Sequence, residues 1–359
     1  MPKILLARSA ENIFWLARYI ERVENLARIL DVNATFARDS SGAQNWRPVL
    51  QLHADEERFF ARHRTASAEA VLRFYVTDGT NPTSIASALG NARANARILR
   101  PLISREMWSQ LNVFHDRIVT LGDAALDPAH LTRLFGEIKE ACQTHTGIVE
   151  GTFYRDQGWY FYRLGRCLER ADQTTRLLDI KYHLLHPRAS DVGSPVDIGQ
   201  WNVLLRSAAA YHPYRRVERG GITPAGVAGF LLLNPNFPRS VSLCVCQADR
   251  LLGELRAHYG LSGGREAAQV LGGLSAHLRS ATIGEILGRG LHEYLDLVQR
   301  RLIAVTTGLS AAFFGAAVAG ARHEEAALDG SRQEQRAGHI DAARDVGSGS
   351  CPRDRMPSA

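Results

Sequence analysis

"WLARYIERVENLARILD", residues 15–31, is written a second time, 148 residues later, as "RLGRCLERADQTTRLLD", residues 163–179. In the first copy Arg18, Glu21, Arg22, Asn25 and Arg28 stand three or four residues apart, so on a helix they share one face. In the second copy Arg166, Glu169, Arg170, Gln173 and Arg176 hold the same positions, and Asp31 and Asp179 close the two stretches. Leu16 with Leu164 and Leu30 with Leu178 are the apolar identities. Other apolar positions have drifted: Ile20 to Leu168, Val23 to Ala171, Ala27 to Thr175. A solvated face asks only for some polar residue and should drift faster than a core. Here the charged types stay while the core changes, and three readings are open. The first is a buried ion-pair lattice, which fixes register more than it stabilises. The second is a pocket whose arginine forks grip carboxylate or phosphate, with a glutamate to orient them or accept a proton. The third is an ordinary solvated face.

Outward from these stretches the pattern stays helical. Ile13, Leu16, Ile20, Val23, Ala27 and Leu30 give the first helix its apolar face; Ser9 is its expected cap and Ala37 its approximate end. Further helices are predicted near 46–63, 67–76, 84–100, 104–120, 128–150, 158–186, 200–212, 223–233, 239–258, 265–279 and 284–318. "HPRASDVGSPVDIG", beginning at His186, reads as the main internal loop. Two more pairs repeat in order. "NWRPVL" at 45–50 resembles "QWNVLL" at 200–205, and "FYVTDGTNPTSI" at 74–85 resembles "FLLLNPNFPRSV" at 230–241. The expected fold is all-α: one large helical bundle built from two related halves by internal duplication. Half A covers about 1–125, a connector helix 128–150, and half B about 155–320. Residues 321–359, polar and Gly/Ser-rich, are expected to be a disordered tail. Two copies are too few for a solenoid.

Composition excludes several classes. With 359 residues, 45% hydrophobic and 22% charged, the chain can bury a sizeable core. The net charge of +6 is carried by arginine; lysine occurs only at Lys3, Lys139 and Lys181. These arginines are interleaved with acids and form no basic run, so nucleic acid is not an expected partner. Five cysteines, an odd number at irregular spacing, argue against a disulfide framework and fit a reducing cytoplasm. Cys244 and Cys246 form a lone CxC, which does not suggest zinc. The apolar run Ile4 to Ala7 is too short for a signal peptide. Leu302 to Ala321 has the length of a membrane span and no charge. It is mostly small residues, however, and Leu302, Val305, Leu309 and Phe313 recur at core-helix spacing, so a membrane role is not expected.

No P-loop, GxGxxG or GxSxG motif occurs, and no ExxH. "HEYLD" at His292 begins like a zincin motif but ends in Asp296, and His183 with His186 is an isolated pair. No metal and no cofactor are expected. Aromatics flank both copies: Phe14, Trp15 and Tyr19; Trp159, Tyr160, Phe161 and Tyr162. Core packing accounts for most of them. "FYRDQGW" is less ordinary, because Arg155 and Asp156 stand at a helix start, where unpaired N–H groups can take an anion.

"SAENIFWLARYIERVENLARILDV", "RDQGWYFYRLGRCLERADQTTRLLDIKY" and "FLLLNPNFPRSV" together resemble the bacterial alpha-E domain family, known for an "ER" motif, here Glu21-Arg22 and Glu169-Arg170. The resemblance covers roughly residues 3 to 318. It implies association with circularly permuted ATP-grasp proteins and transglutaminase-like proteases, and hence a role around a peptide or amide-linked product. The expectation is a helical accessory protein of an ATP-grasp-type ligase that binds the ligase, or an acidic or peptide ligand, through the Arg/Glu face. The alternative is an enzyme on an acidic or amide-containing peptide, with Glu21 and Glu169 as the catalytic candidates.

Overall fold

Fifteen α-helices, one 3₁₀ turn and no strand make up the described residues. The structure is a computed structural model that describes residues 5–39, 46–184 and 195–315; of residues 36–39, 180–184 and 195–197 only the backbone is described. The expected tail at 321–359, with Cys351, and the side chains of His183 and His186 lie outside the described residues.

The first eight helices are α1 (Ala7–Asp39), α2 (Arg47–Leu52), α3 (Glu56–Phe60), α4 (Ala68–Val76), α5 (Ile85–Ile98), α6 (Arg105–Val119), α7 (Leu131–Thr152) and α8 (Gln157–Leu184). The others are α9 (Pro195–Ser207), α10 (Tyr211–Val217), α11 (Pro224–Leu233), α12 (Val241–Tyr259), α13 (Arg265–Ser280), α14 (Ile283–Arg289) and α15 (Leu291–Phe313). The two long charged helices, α1 and α8, pack on each other at the centre. On the far side of α1 lie α5 and α7, with α6 against both; α8 carries α12 and α15, with α13 against both. The helix expected as a connector, α7, thus lies against α1 as α15 lies against α8.

Burial explains the central pair. All six residues of the first helix's apolar face are buried. Gly165 marks the closest approach of the two helices, since a Cβ there would collide with the Phe14 carbonyl. The residue at the matching place in the first copy, Ala17, is also small and buried.

Local geometry recurs as well. Ser84 and Ser240 cap α5 and α12, their hydroxyls accepting from the N–H groups of Ser87 and Leu243. Asp78 Oδ1 accepts from the Thr80 N–H at 2.8 Å, and Asn234 Oδ1 accepts from the Asn236 N–H at 2.9 Å. Ala54 and Ala209 are the two non-glycine residues with positive φ among the described residues, at 49° and 56°.

Several predicted boundaries need correction. Ser9 lies inside α1, which starts at Ala7, so it is not the cap. The single helix predicted over 46–63 is broken where Ala54 turns left-handed, and the one over 200–212 is broken at Ala209. The helix predicted over 284–318 divides at Gly290, whose φ of 104° suits glycine alone. The expected loop at 186–199 ends early, because Pro195 opens α9. Leu302, Val305 and Leu309 are buried core residues of α15, whereas Phe313 is only partly buried against the core. No described helix is long and apolar enough to cross a membrane.

Candidate functional site

The charged faces of α1 and α8 meet and exchange partners. Glu169 on α8 accepts from Arg18 Nε at 2.6 Å and from Arg22 Nε at 2.7 Å, both on α1. Gln173 Nε2 adds a third bond at 3.0 Å. In return Glu21 on α1 pairs with Arg170 on α8, Nε to Oε2 at 2.9 Å. The exchange is therefore reciprocal: the glutamate of each "ER" pair takes the arginine of the other.

A further arginine closes the lattice. Arg239, just before α12, donates from Nη1 to Glu21 Oε1 at 2.6 Å and to Asn25 Oδ1 at 3.0 Å. Its Nη2 lies 3.0 Å from Glu24 Oε1, and its carbonyl accepts from the Thr174 hydroxyl of α8. Glu24 Oε1 also accepts from Arg28 Nη2 at 2.6 Å. Cation–π contacts support the rim: the Arg18 guanidinium lies 4.8 Å from the Trp15 ring centre and that of Arg22 5.6 Å from it.

Electrostatics follows from this packing. Burial alone would raise the Glu21 carboxyl, but Arg170 and Arg239 outweigh it and hold the group down at about 2. Burial would likewise raise Glu169, and Arg22 with Arg18 keeps it below the ordinary value of 4.5. Arg170 in turn is raised: Glu21 overcomes the effect of burial. Carboxylates held so firmly ionised between guanidinium groups are weak proton acceptors, whereas a general base is best matched near neutral pH. The arrangement is that of the ion-pair lattice, with side-chain exposure greatest at Arg22, at 25%.

Of the twelve residues singled out by sequence, seven meet here: Arg18, Glu21, Arg22, Asn25, Glu169, Arg170 and Gln173. Arg28 joins through Glu24. Four are placed elsewhere. Arg166 turns to Glu150 at 3.2 Å, and Arg176 to Asp172 on its own helix at 2.8 Å. The start of α8 is occupied by the chain's own carboxylate: Asp156 Oδ1 accepts from the Gly158 N–H at 2.8 Å. Arg155 lies over the Trp159 ring. Sequence reasoning missed Arg239 and Glu24. Arg239 had no counterpart to mark it, since Thr83 stands in its place in the matched stretch.

Two other polar groups bear on chemistry. Asp179, His292 and Asp296 bring one ligand atom each within 4.8 Å of one another, the one such group of three or more among the described residues. His292 Nδ1 lies 2.8 Å from Asp179 Oδ1, and this hydrogen bond raises the imidazole. His145 is fully buried, and burial pushes it down to about 4. Its Nδ1 contacts Gln110 Oε1 at 3.0 Å and its Nε2 has no partner among the described residues.

Comparison with known proteins places the chain in a family. The Alpha-E family, described as a predicted alpha-helical domain with a conserved ER motif, matches residues 5–314. The chain belongs to that family. An uncharacterized protein of Mycobacterium bovis is 24% identical over 298 residues, and one of Mycobacterium tuberculosis is 23% identical over the same length. Each match covers 76% of this chain and 32% of the relative, so the chain spans about a third of the length of the curated relatives it matches. No solved structure matches.

Proposed function

We propose that this helical domain is a non-catalytic partner of an ATP-grasp-type ligase that forms peptide or amide bonds, with the paired charged helices as its structural spine. The observation that carries the reading is the state of the two "ER" glutamates. Each is committed to two guanidinium groups and is held ionised, which suits a scaffold and not a proton-transfer centre. The class of partner comes from the family resemblance. The relatives add support, because their matched segment is only 32% of a longer chain, as expected of a module that works beside other domains. Cys142, Cys167, Cys244 and Cys246 are free thiols, which fits work in a reducing cytoplasm.

The proposal includes an origin by internal duplication. What supports it is the order of the elements, the two left-handed alanines, the two serine caps and the reciprocal exchange of Glu21 and Glu169. The test is co-expression with an ATP-grasp-type ligase of the same organism. A stable complex is expected, with ATP-dependent amide formation that requires both proteins. Amide formation or cleavage by this chain alone would turn the reading to an enzyme built on Glu21 and Glu169. Absence of a complex would end the partner reading.

A further inference from the structure

Beyond the lattice, the charged face of α1 runs into a cavity of about 760 Å³, walled by α1, α7, α9 and α10. This volume lies within the range of sites for organic ligands. Arg28 and Asp31 come from α1, Lys139 from α7, Arg206 from α9 and Tyr211 from α10.

These side chains are in a different state from those of the lattice. Lys139 Nζ lies 2.6 Å from Asp31 Oδ2, and both side chains keep some exposure, at 22% and 16%. Arg28 directs Nε and Nη2 to a single oxygen of Glu24. Arg206 has no carboxylate partner among the described residues; its guanidinium lies 4.4 Å from the Tyr211 ring centre. Arg215 adds a second guanidinium, donating to the Tyr211 hydroxyl at 3.2 Å.

The charge count is decisive. Among the described residues, Arg28, Lys139 and Arg206 stand against Asp31 alone on the wall, and the Glu24 carboxylate behind Arg28 is shared with Arg239. A concave surface with excess cation and one planar fork that has no carboxylate partner favours an anion. Val32 and Val203 give the wall apolar area as well, so the ligand has an organic body and is not a bare inorganic ion. Arg206 already occupies a face of the aromatic ring at the cavity, which disfavours a stacked base.

We infer that this cavity binds a short acidic peptide through its carboxylates, with Arg206 and Lys139 as the anchoring cations. The choice of a peptide rests on the ligation reading above; the anion site itself stands on the cavity and its charge.

The test is calorimetric titration of the full chain with the tripeptide Glu-Glu-Glu at low salt, with Gln-Gln-Gln and ADP as comparison probes. Saturable binding of Glu-Glu-Glu alone is expected, and it weakens as salt is added. Arg206→Glu should weaken it at least about tenfold and Arg206→Gln less, the exposed position leaving the fold intact by circular dichroism. Asp31→Asn should tighten it, because Lys139 is then released to the ligand. No binding of either anion, or unchanged binding by Arg206→Glu, overturns the site. Binding of ADP in place of the peptide overturns the ligand class. Failure of the ligase complex with peptide binding intact sinks only the partner reading.

Discussion

Arg239 shows how the lattice distributes its work among residues. It serves Glu21, Glu24 and Asn25 at once with its side chain only 8% exposed, so Arg239→Ala leaves two buried carboxylates short of a partner. A loss of about 3–5 kcal/mol in urea unfolding is expected. Arg22→Ala is milder, about 1–3 kcal/mol, because Arg18 and Gln173 still hold Glu169 and Arg22 is partly solvated. Equal losses for the two variants would show that the number of partners does not matter. Titration separates a second pair of residues. Glu21 and Glu169 have depressed folded values, so their contribution is present above the ordinary 4.5 and is lost as pH falls, for Glu21 through about 2. His145 is depressed from 6.5 to about 4; between those values the unfolded chain binds the proton that the folded one refuses. Stability should therefore fall by roughly 3 kcal/mol as pH drops from 6.5 to 4. His145→Gln should remove that stage and keep the one below 4.5. A wild-type profile retained by His145→Gln would place the proton elsewhere.

At the scale of elements, α1 and α8 can approach because the sequence supplies glycine where their backbones come closest. Gly165 has no room for a Cβ against the Phe14 carbonyl. Gly165→Val should force the helices apart, strain the ion pairs of Glu169 four residues on, and cost about 1–3 kcal/mol or more. Thermal unfolding would check it; a variant as stable as the wild type would mean that the crossing tolerates the added volume. Helix existence was legible because apolar spacing is a local signal, and the faces of α1 and α15 were buried as their periodicity implies. Breaks at Ala54 and Ala209 were not legible. Alanine is the best helix former, and its left-handed turn is imposed by tertiary packing that local propensity does not contain. The early start of α1, at Ala7 and not at Ser9, has the same character.

For the whole molecule, the sequence marked which charged residues matter but left open whether they pair or await a ligand. Seven of the twelve candidates converge, since the two charged helices pack on each other and carry their motifs to the same interface. The pairing partner could not be read from either copy alone, because each glutamate takes arginines of the other copy, from 147 to 151 residues away. Arg239 lies farther still, 218 residues from Glu21, beyond any periodic signal. The lattice thus ties α1 to α8 and to Arg239 before α12, and a double-mutant cycle on Glu21 and Arg170 tests that claim most directly. Global unfolding in urea would be measured for Glu21→Gln, Arg170→Met and the double variant. A favourable coupling energy between the wild-type pair, about 1–3 kcal/mol, is the expected result. Additive losses, with no coupling beyond about 0.5 kcal/mol, would contradict an ion-pair spine between α1 and α8.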